Sequence, residues 1–273
     1  MIPLEFVGIL PARRPASHKG DYGHVLIVGG GVGMPGAVYL AAMAALRVGA
    51  GQVSVAMNPR YAAGMLPGLP EAMVHGVSTP AELNTLLAKA SVVVLGPGLN
   101  TDAWAQGLFS AAASTTLPCV VDASALRLLA QQPRHQENWV LTPHPGEAAG
   151  LLGCDVATVQ ADRPHAARAL VARYGGVAVL KGAHSLVCSD VVEGYCCDKG
   201  NPGMASAGMG DVLSGVIGGL LAQHLQPVDA ARLGVWLHAQ AGDEAVAEGG
   251  MAGLIASDII PFIRRALARI MAG

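Results

Sequence analysis

The feature that most constrains this chain is a repeated alternation of short, unbroken apolar runs with longer stretches rich in Ala and Leu. Val25-Leu26-Ile27-Val28 is the first run, followed by a glycine-rich turn and a helical stretch over about 36–48. Residues 53–56, 91–95, 118–122, 140–142 and 177–181 repeat the pattern, each run ending in a polar or glycine-rich loop. A strand that is apolar at every position must be covered on both sides. The expected fold is therefore α/β, with a central, mostly parallel sheet and helices on both faces. After Lys181 the pattern changes. Residues 185–189 and 192–196, joined at Asp190-Val191, read as an antiparallel hairpin, and helices follow over about 208–223, 229–248 and 257–271. Asp229 and Ser257 stand where N-caps are expected. With no linker, repeat or low-complexity tract, residues 1–273 read as a single domain with an irregular lead over 1–18.

Composition narrows the function. Hydrophobic residues make up 52% of the chain, charged residues only 13%, and mean hydropathy is +0.44. That raises the question of a membrane. The longest apolar stretches, 37–46 and 212–222, are stopped by Arg47 and by Gln223-His224. Both fall short of the roughly 20 residues a bilayer span needs. Glu5 and Pro11 stand where a secretory leader would be basic and then apolar. The expectation is a soluble, cytoplasmic protein without a membrane partner. Net charge is 17 − 19 = −2, and basic residues cluster only in pairs such as Arg13-Arg14 and Arg264-Arg265. Nucleic acid is therefore not an expected partner. Cys119, Cys154, Cys188, Cys196 and Cys197 lack Cys-x-x-Cys spacing, which reads as thiols in a reducing compartment and argues against zinc.

Open parallel sheets bind ligands at the carboxyl ends of their strands. The loops there span 29–36, 96–100, 122–125, 142–147 and 181–185, and all are rich in Gly, Pro or polar residues. The most informative segment lies later: Asn201-Pro202-Gly203-Met204-Ala205-Ser206-Ala207-Gly208-Met209-Gly210-Asp211 opens an apolar helix. Free amides at a helix start bind anions, and glycines let phosphate oxygens approach the backbone. Asp211, in the first turn, is placed to accept a proton from a substrate hydroxyl as a phosphoryl group arrives. The competing reading is an ordinary glycine-rich turn with Asp211 as a helix cap.

Several separate motifs, in order, resemble the ADP/ATP-dependent NAD(P)H-hydrate dehydratases of the ribokinase-like superfamily. They are Ser17-His18-Lys19-Gly20 with Gly23, Gly33-Met34-Pro35-Gly36-Ala37, Gly96-Pro97-Gly98, Thr142-Pro143-His144-Pro145-Gly146-Glu147, Lys181-Gly182-Ala183-His184-Ser185 and the segment ending at Asp211. The resemblance implies a ribokinase-like fold and a repair reaction. Hydrated NADH or NADPH is dehydrated with ADP or ATP as co-substrate, through phosphorylation of the ring hydroxyl and loss of phosphate. It also implies roles. Asp211 is the base and touches the hydrate, with Ala37, Gly98 and His144 as further contacts. Lys181, Gly182, Ala183, His184 and Ser185 bind the adenine nucleotide, and Gly208, Met209 and Gly210 form the anion hole. Glu147 organises Mg²⁺ through water.

The residues alone leave plainer readings open. Gly33 and Gly36 suit simple turn geometry; His144 suits a solvated or hydrogen-bonded side chain; Glu147 suits a first-turn acid favoured by the helix dipole; Lys181 suits a surface turn. Asp211 has an ordinary carboxylate pKa of about 3.9 as its reference, which makes it a weak base relying on position. His238 and Asp243 lie on a helix whose face the sequence leaves unoriented. The chain departs from the family pattern at Ser124, where a second aspartate is common, and at Asn100 and Ala207, where glycine is frequent. Many relatives carry an N-terminal epimerase domain, for which 273 residues leave no room. Small-residue helices, and tetramers among relatives, suggest a homo-oligomer. The rival functions are a small-molecule kinase of the same fold, such as one acting on a thiazole alcohol, and a non-catalytic nucleotide sensor.

Overall fold

A computed structural model of the protein describes residues 3–10, 12–65, 67–190 and 194–272. Strands and helices alternate along the first two thirds: β1 (His24–Val28), α1 (Pro35–Val48), β2 (Gln52–Met57), α2 (Pro59–Met65), β3 (Met73–Gly76), α3 (Pro80–Leu87), β4 (Val92–Leu95) and α4 (Ala103–Ala112). They continue as β5 (Cys119–Val121), α5 (Ser124–Gln131), β6 (Trp139–Leu141), α6 (Pro145–Leu152), α7 (Val156–Ala161), α8 (Arg163–Tyr174) and β7 (Val177–Leu180). The remainder is β8 (Leu186–Ser189), β9 (Tyr195–Cys196), α9 (Met209–Ala222), α10 (Pro227–Gly249) and α11 (Ala256–Ala272).

The described strands form one sheet in the order β3-β2-β1-β4-β5-β6-β7-β8-β9. Strands β1 to β7 pair in parallel, whereas β8 and β9 are antiparallel additions. Side chains alternate across a strand, and β1 makes the consequence visible. Val25 and Ile27 enter one apolar core with α1, α9, α10 and α11, while Leu26 and Val28 enter a second with α4, α5, α6 and α8. Both faces are covered, as an unbroken apolar strand requires. Chain direction across the sheet reverses between β1 and β4. The loops leaving these two strands diverge to opposite faces and open a crevice there.

The small residues of α1 and α9 are taken up within the chain. A β-carbon on Gly215 would stand 2.1 Å from the carbonyl oxygen of Ala41, and one on Gly219 would stand 2.4 Å from Val48. These helices touch backbone to backbone, so their small residues are no argument for an interface with another copy.

Two expectations, the N-caps at Asp229 and Ser257, need correction. Helix α10 begins at Pro227 after Gln226, so Asp229 lies inside its first turn. Ser257 likewise lies inside α11, and Asp258 reaches back to accept the N–H of Ile255 at 3.0 Å. Acids favoured by the first-turn dipole are easily mistaken for caps. The strand β3 was not anticipated; it is a short edge strand, half exposed, without the unbroken apolar run that marks the others. The hairpin is present as β8 and β9, although Val191, Val192 and Glu193 lie outside the described residues. In the irregular lead, Phe6 and Leu10 are buried against the first core.

Candidate active site between two cavities

Four charged side chains meet at the carboxyl ends of β5, β6 and β7 and the start of α9. Asp122 directly follows β5 and is buried. One of its oxygens accepts a 2.8 Å bond from Lys181 Nζ. The other lies 2.7 Å from Ser214 Oγ on α9. Lys181, directly after β7, also stands 3.7 Å from Glu147. Burial disfavours its charge, but Asp122 and Glu147 outweigh that and hold its pKa above the ordinary value. The surface-turn reading of Lys181 is therefore overturned: the lysine is enclosed by carboxylates.

Asp211 is the third residue of α9 and accepts no hydrogen bond from the described residues. Burial, then the charge of Asp122, push its carboxyl up to about 7; Lys181 opposes the rise and Glu147 adds to it. The expectation of an ordinary, weakly basic carboxylate is thus corrected. Asp122 and Asp211 share one neighbourhood, yet only Asp122 has donors that stabilise its charge. The first helical bond of α9 runs from the N–H of Val212 to the carbonyl of Gly208, at 3.0 Å. The amides of Gly208, Met209, Gly210 and Asp211 precede it, and no carbonyl among the described residues takes them. Gly208 holds φ at +90°, which a glycine adopts without strain.

A cavity of about 490 Å³ opens on one side of this cluster. Lys181, Gly182, Ala183, His184 and Ser185 line it together with Met209 and Gly210; Gly208 does not, its α-carbon facing Leu40 and Ala256 instead. Two supports of this cavity escaped the sequence. Arg163 donates to the carbonyls of Leu180 at 3.1 Å and His184 at 3.3 Å, strapping the 181–185 loop. Asp243 accepts from Gly200 N–H and Asn201 Nδ2, both at 3.0 Å, bracing the segment that leads into α9. His238, now oriented, lines the same cavity. Burial pushes its pKa down to about 4, so the ring is neutral and its Nε2 donates to the Met209 carbonyl at 3.0 Å.

A second cavity, of about 470 Å³, lies on the other side, in the crevice between the β1 and β4 loops. Met34, Asn100, Thr101, Ser124, Arg127 and Glu147 are among its walls. Ala37, Gly98 and His144 stand behind these walls rather than on them. A β-carbon on Gly98 would be 3.1 Å from Ala37 and 2.5 Å from the Met34 carbonyl. His144 is the N-cap of α6: its Nδ1 accepts from Gly146 and Glu147, while Glu147 accepts the His144 N–H at 2.8 Å. The plainer reading of His144, a solvated or hydrogen-bonded side chain, fits: the ring is half exposed and closes a capping box, and Glu147 is a first-turn acid that also faces Lys181. Asp211 lines neither cavity; of the charges that set its pKa, Lys181 lines the first and Glu147 the second.

Backbone strain concentrates at the same place. Among the described residues, four non-glycine positions have positive φ, and three of them, Asn100, Ala123 and His184, line the two cavities. Such conformations cost about 1–3 kcal/mol and persist where surrounding structure over-determines them. No group of three or more His, Cys, Asp or Glu among the described residues is arranged to hold a metal by itself. No described helix is long and apolar enough to cross a membrane.

Comparison with known proteins places these features in a family. Residues 25–265 match the family model described as NAD(P)H-hydrate dehydratase. The bifunctional NAD(P)H-hydrate repair enzyme Nnr of Coxiella burnetii is 49% identical over 264 residues, covering 96% of this chain and 54% of its own length. The ADP-dependent (S)-NAD(P)H-hydrate dehydratase of Neisseria meningitidis is 41% identical over 271 residues, covering 96% of this chain and 90% of its own. The chain thus spans about half the length of the bifunctional relatives it matches. The ADP/ATP-dependent NAD(P)H-hydrate dehydratase of Bacillus subtilis, co-crystallised with ATP/Mg²⁺, superposes with a TM-score of 0.84 at 28% identity, covering 96% of this chain and 94% of that one.

Proposed function

The chain belongs to the NAD(P)H-hydrate dehydratase family, with a ribokinase-like fold, and from that premise we propose that it dehydrates hydrated NADH or NADPH at the expense of ADP or ATP. The observation that carries the reading is the position of Asp211: an unpartnered carboxylate next to free amides, whose charged neighbours Lys181 and Glu147 line the first and the second cavity. The nucleotide occupies the first cavity, with its terminal phosphate on the amides of Gly208 to Asp211 and near Lys181. The hydrated dinucleotide occupies the second, with its ring hydroxyl toward Asp211 and with Ala37, Gly98 and His144 shaping the wall from behind. Asp211 takes the hydroxyl proton as that oxygen bonds to the terminal phosphorus and the bond to the leaving nucleotide breaks. Phosphate then leaves with the C–O electron pair, and loss of a proton from the neighbouring ring carbon restores the double bond. A loose phosphoryl-transfer transition state asks for placement more than base strength.

The charge balance also supports Mg²⁺. Asp122, Glu147 and Asp211 face the single cation Lys181, which gives 1 − 3 = −2 when all are ionised. Mg²⁺ arriving on the nucleotide would be held through water by Glu147 and would offset phosphate charge. We further propose a single domain acting in the cytoplasm as a homo-oligomer, a tetramer by resemblance; sedimentation tests the last point.

The test of the function is turnover of prepared hydrate with ADP and ATP in parallel. The reading expects the reduced-nicotinamide absorbance to return with one inorganic phosphate released per ring restored. A stable phosphorylated product would favour a small-molecule kinase. Tight nucleotide binding without turnover would favour a sensor.

A further inference from the structure

We propose that Arg127 is a substrate-binding residue that grips a phosphate of the dinucleotide substrate. The inference rests on the second cavity being the dinucleotide side, and it names the group that holds the substrate's charged portion away from the reacting ring.

Helix α5 buries Ala125, Leu126, Leu128 and Leu129 in the second core. Arg127 falls on the remaining, exposed face, one turn after Ser124. Residues three apart share a helix face, and helical side chains lean toward the N-terminus. That direction carries the guanidinium back toward the carboxyl end of β5, and both Ser124 and Arg127 line the cavity there. Arg127 is the one cation in the lining. Among the described residues it makes neither an ion pair nor a hydrogen bond to protein.

The other charges of that wall are already engaged. Asp102 caps α4, accepting the N–H of Ala105 at 2.9 Å, and Glu147 accepts the His144 N–H at 2.8 Å and faces Lys181. Asn100 Nδ2 donates to the Val32 carbonyl. A planar cation with five donors, free beside a cleft of about 470 Å³, matches a phosphate group. Both hydrates carry a pyrophosphate, and the NADPH form carries a ribose phosphate as well, so the shared chemistry is a phosphate monoanion or dianion.

The experiment measures steady-state kinetics of Arg127→Ala and Arg127→Lys with each hydrate, and in parallel calorimetric binding of each hydrate to the Asp211→Asn protein with and without Arg127→Ala. The expected result is a hydrate KM, and a dissociation constant, raised about tenfold in Arg127→Ala. The kcat and the nucleotide KM stay within about twofold, and Lys restores part of the loss because it supplies charge without the fork. An equal rise for both hydrates assigns the pyrophosphate, and a rise confined to the NADPH hydrate assigns the ribose phosphate; either supports the proposal. Unchanged hydrate binding, or a rise in the nucleotide KM instead, overturns it. If the native protein turns over neither hydrate but its hydrate binding still depends on Arg127, the catalytic reading fails and this one stands.

Discussion

The two cavities beside Asp211 differ in how they are built. The first is drawn mainly from two stretches of chain, 181–185 and 197–210, with Leu213, Val235, His238 and Ala239 added from α9 and α10. The second draws on the loops after β1, β4, β5 and β6, with one or a few side chains from each. A wall of few segments that ends on free amides suits a ligand group common to many molecules, such as a phosphate. A wall of converging side chains suits discrimination, because each can change without disturbing the others. The same contrast separates Asp122 from Asp211: one is locked by Lys181 and Ser214, the other is left without donors.

The largest expected effect would break the comparison at its centre. Asp211→Asn should lower kcat by roughly a thousandfold or more while nucleotide affinity is largely kept; a kcat near that of the native protein would mean the cavities do not meet at this carboxylate. Lys181→Met should destabilise the fold by about 3 kcal/mol in chemical denaturation, because it leaves Asp122 buried with only a hydroxyl donor. A loss below about 1 kcal/mol would place the pair among weak surface bridges.

The pH dependence sharpens the difference between the two carboxylates. Asp211 must be ionised to accept a proton, so kcat/KM should rise with pH through about 7 in the free enzyme. Stability should move the opposite way. Its folded pKa lies above the unfolded value of 3.8, so the protonated folded form is favoured at low pH. That contribution fades from about 4 upward and is gone above about 7. Asp211→Asn should therefore melt at a higher temperature than the native protein at pH 8, with the difference closing toward pH 4. The smallest effect belongs to the strap: Arg163→Ala should raise the nucleotide KM about threefold to tenfold and leave the hydrate KM alone.

How much of this was legible in the sequence follows the same division. The mostly parallel sheet could be read because apolar runs such as 25–28 report burial on both faces, and the glycine-rich start of α9 with its free amides could be read because Gly208-Met209-Gly210-Asp211 is local. The strand β3 could not, since a half-exposed edge carries no such run. Asp122 falls where the apolar run 118–122 meets the 122–125 loop, but its bond to Ser214 joins residues 92 positions apart. Arg163, Arg127 and Asp243 act through partners or cavities that no spacing rule predicts. The pKa of Asp211 was missed for the same reason, because it depends on burial and on Asp122, which are properties of the folded chain.

The most direct test of the central claim is a crystal structure of the Asp211→Asn protein with ADP and the hydrated dinucleotide both bound. The account predicts a nucleotide phosphate on the amides of residues 208–211 and the ring hydroxyl within hydrogen-bond reach of residue 211, approached from the side of Arg127. A hydrate bound with its ring far from that residue, or a nucleotide seated in the cavity lined by Arg127, would contradict it.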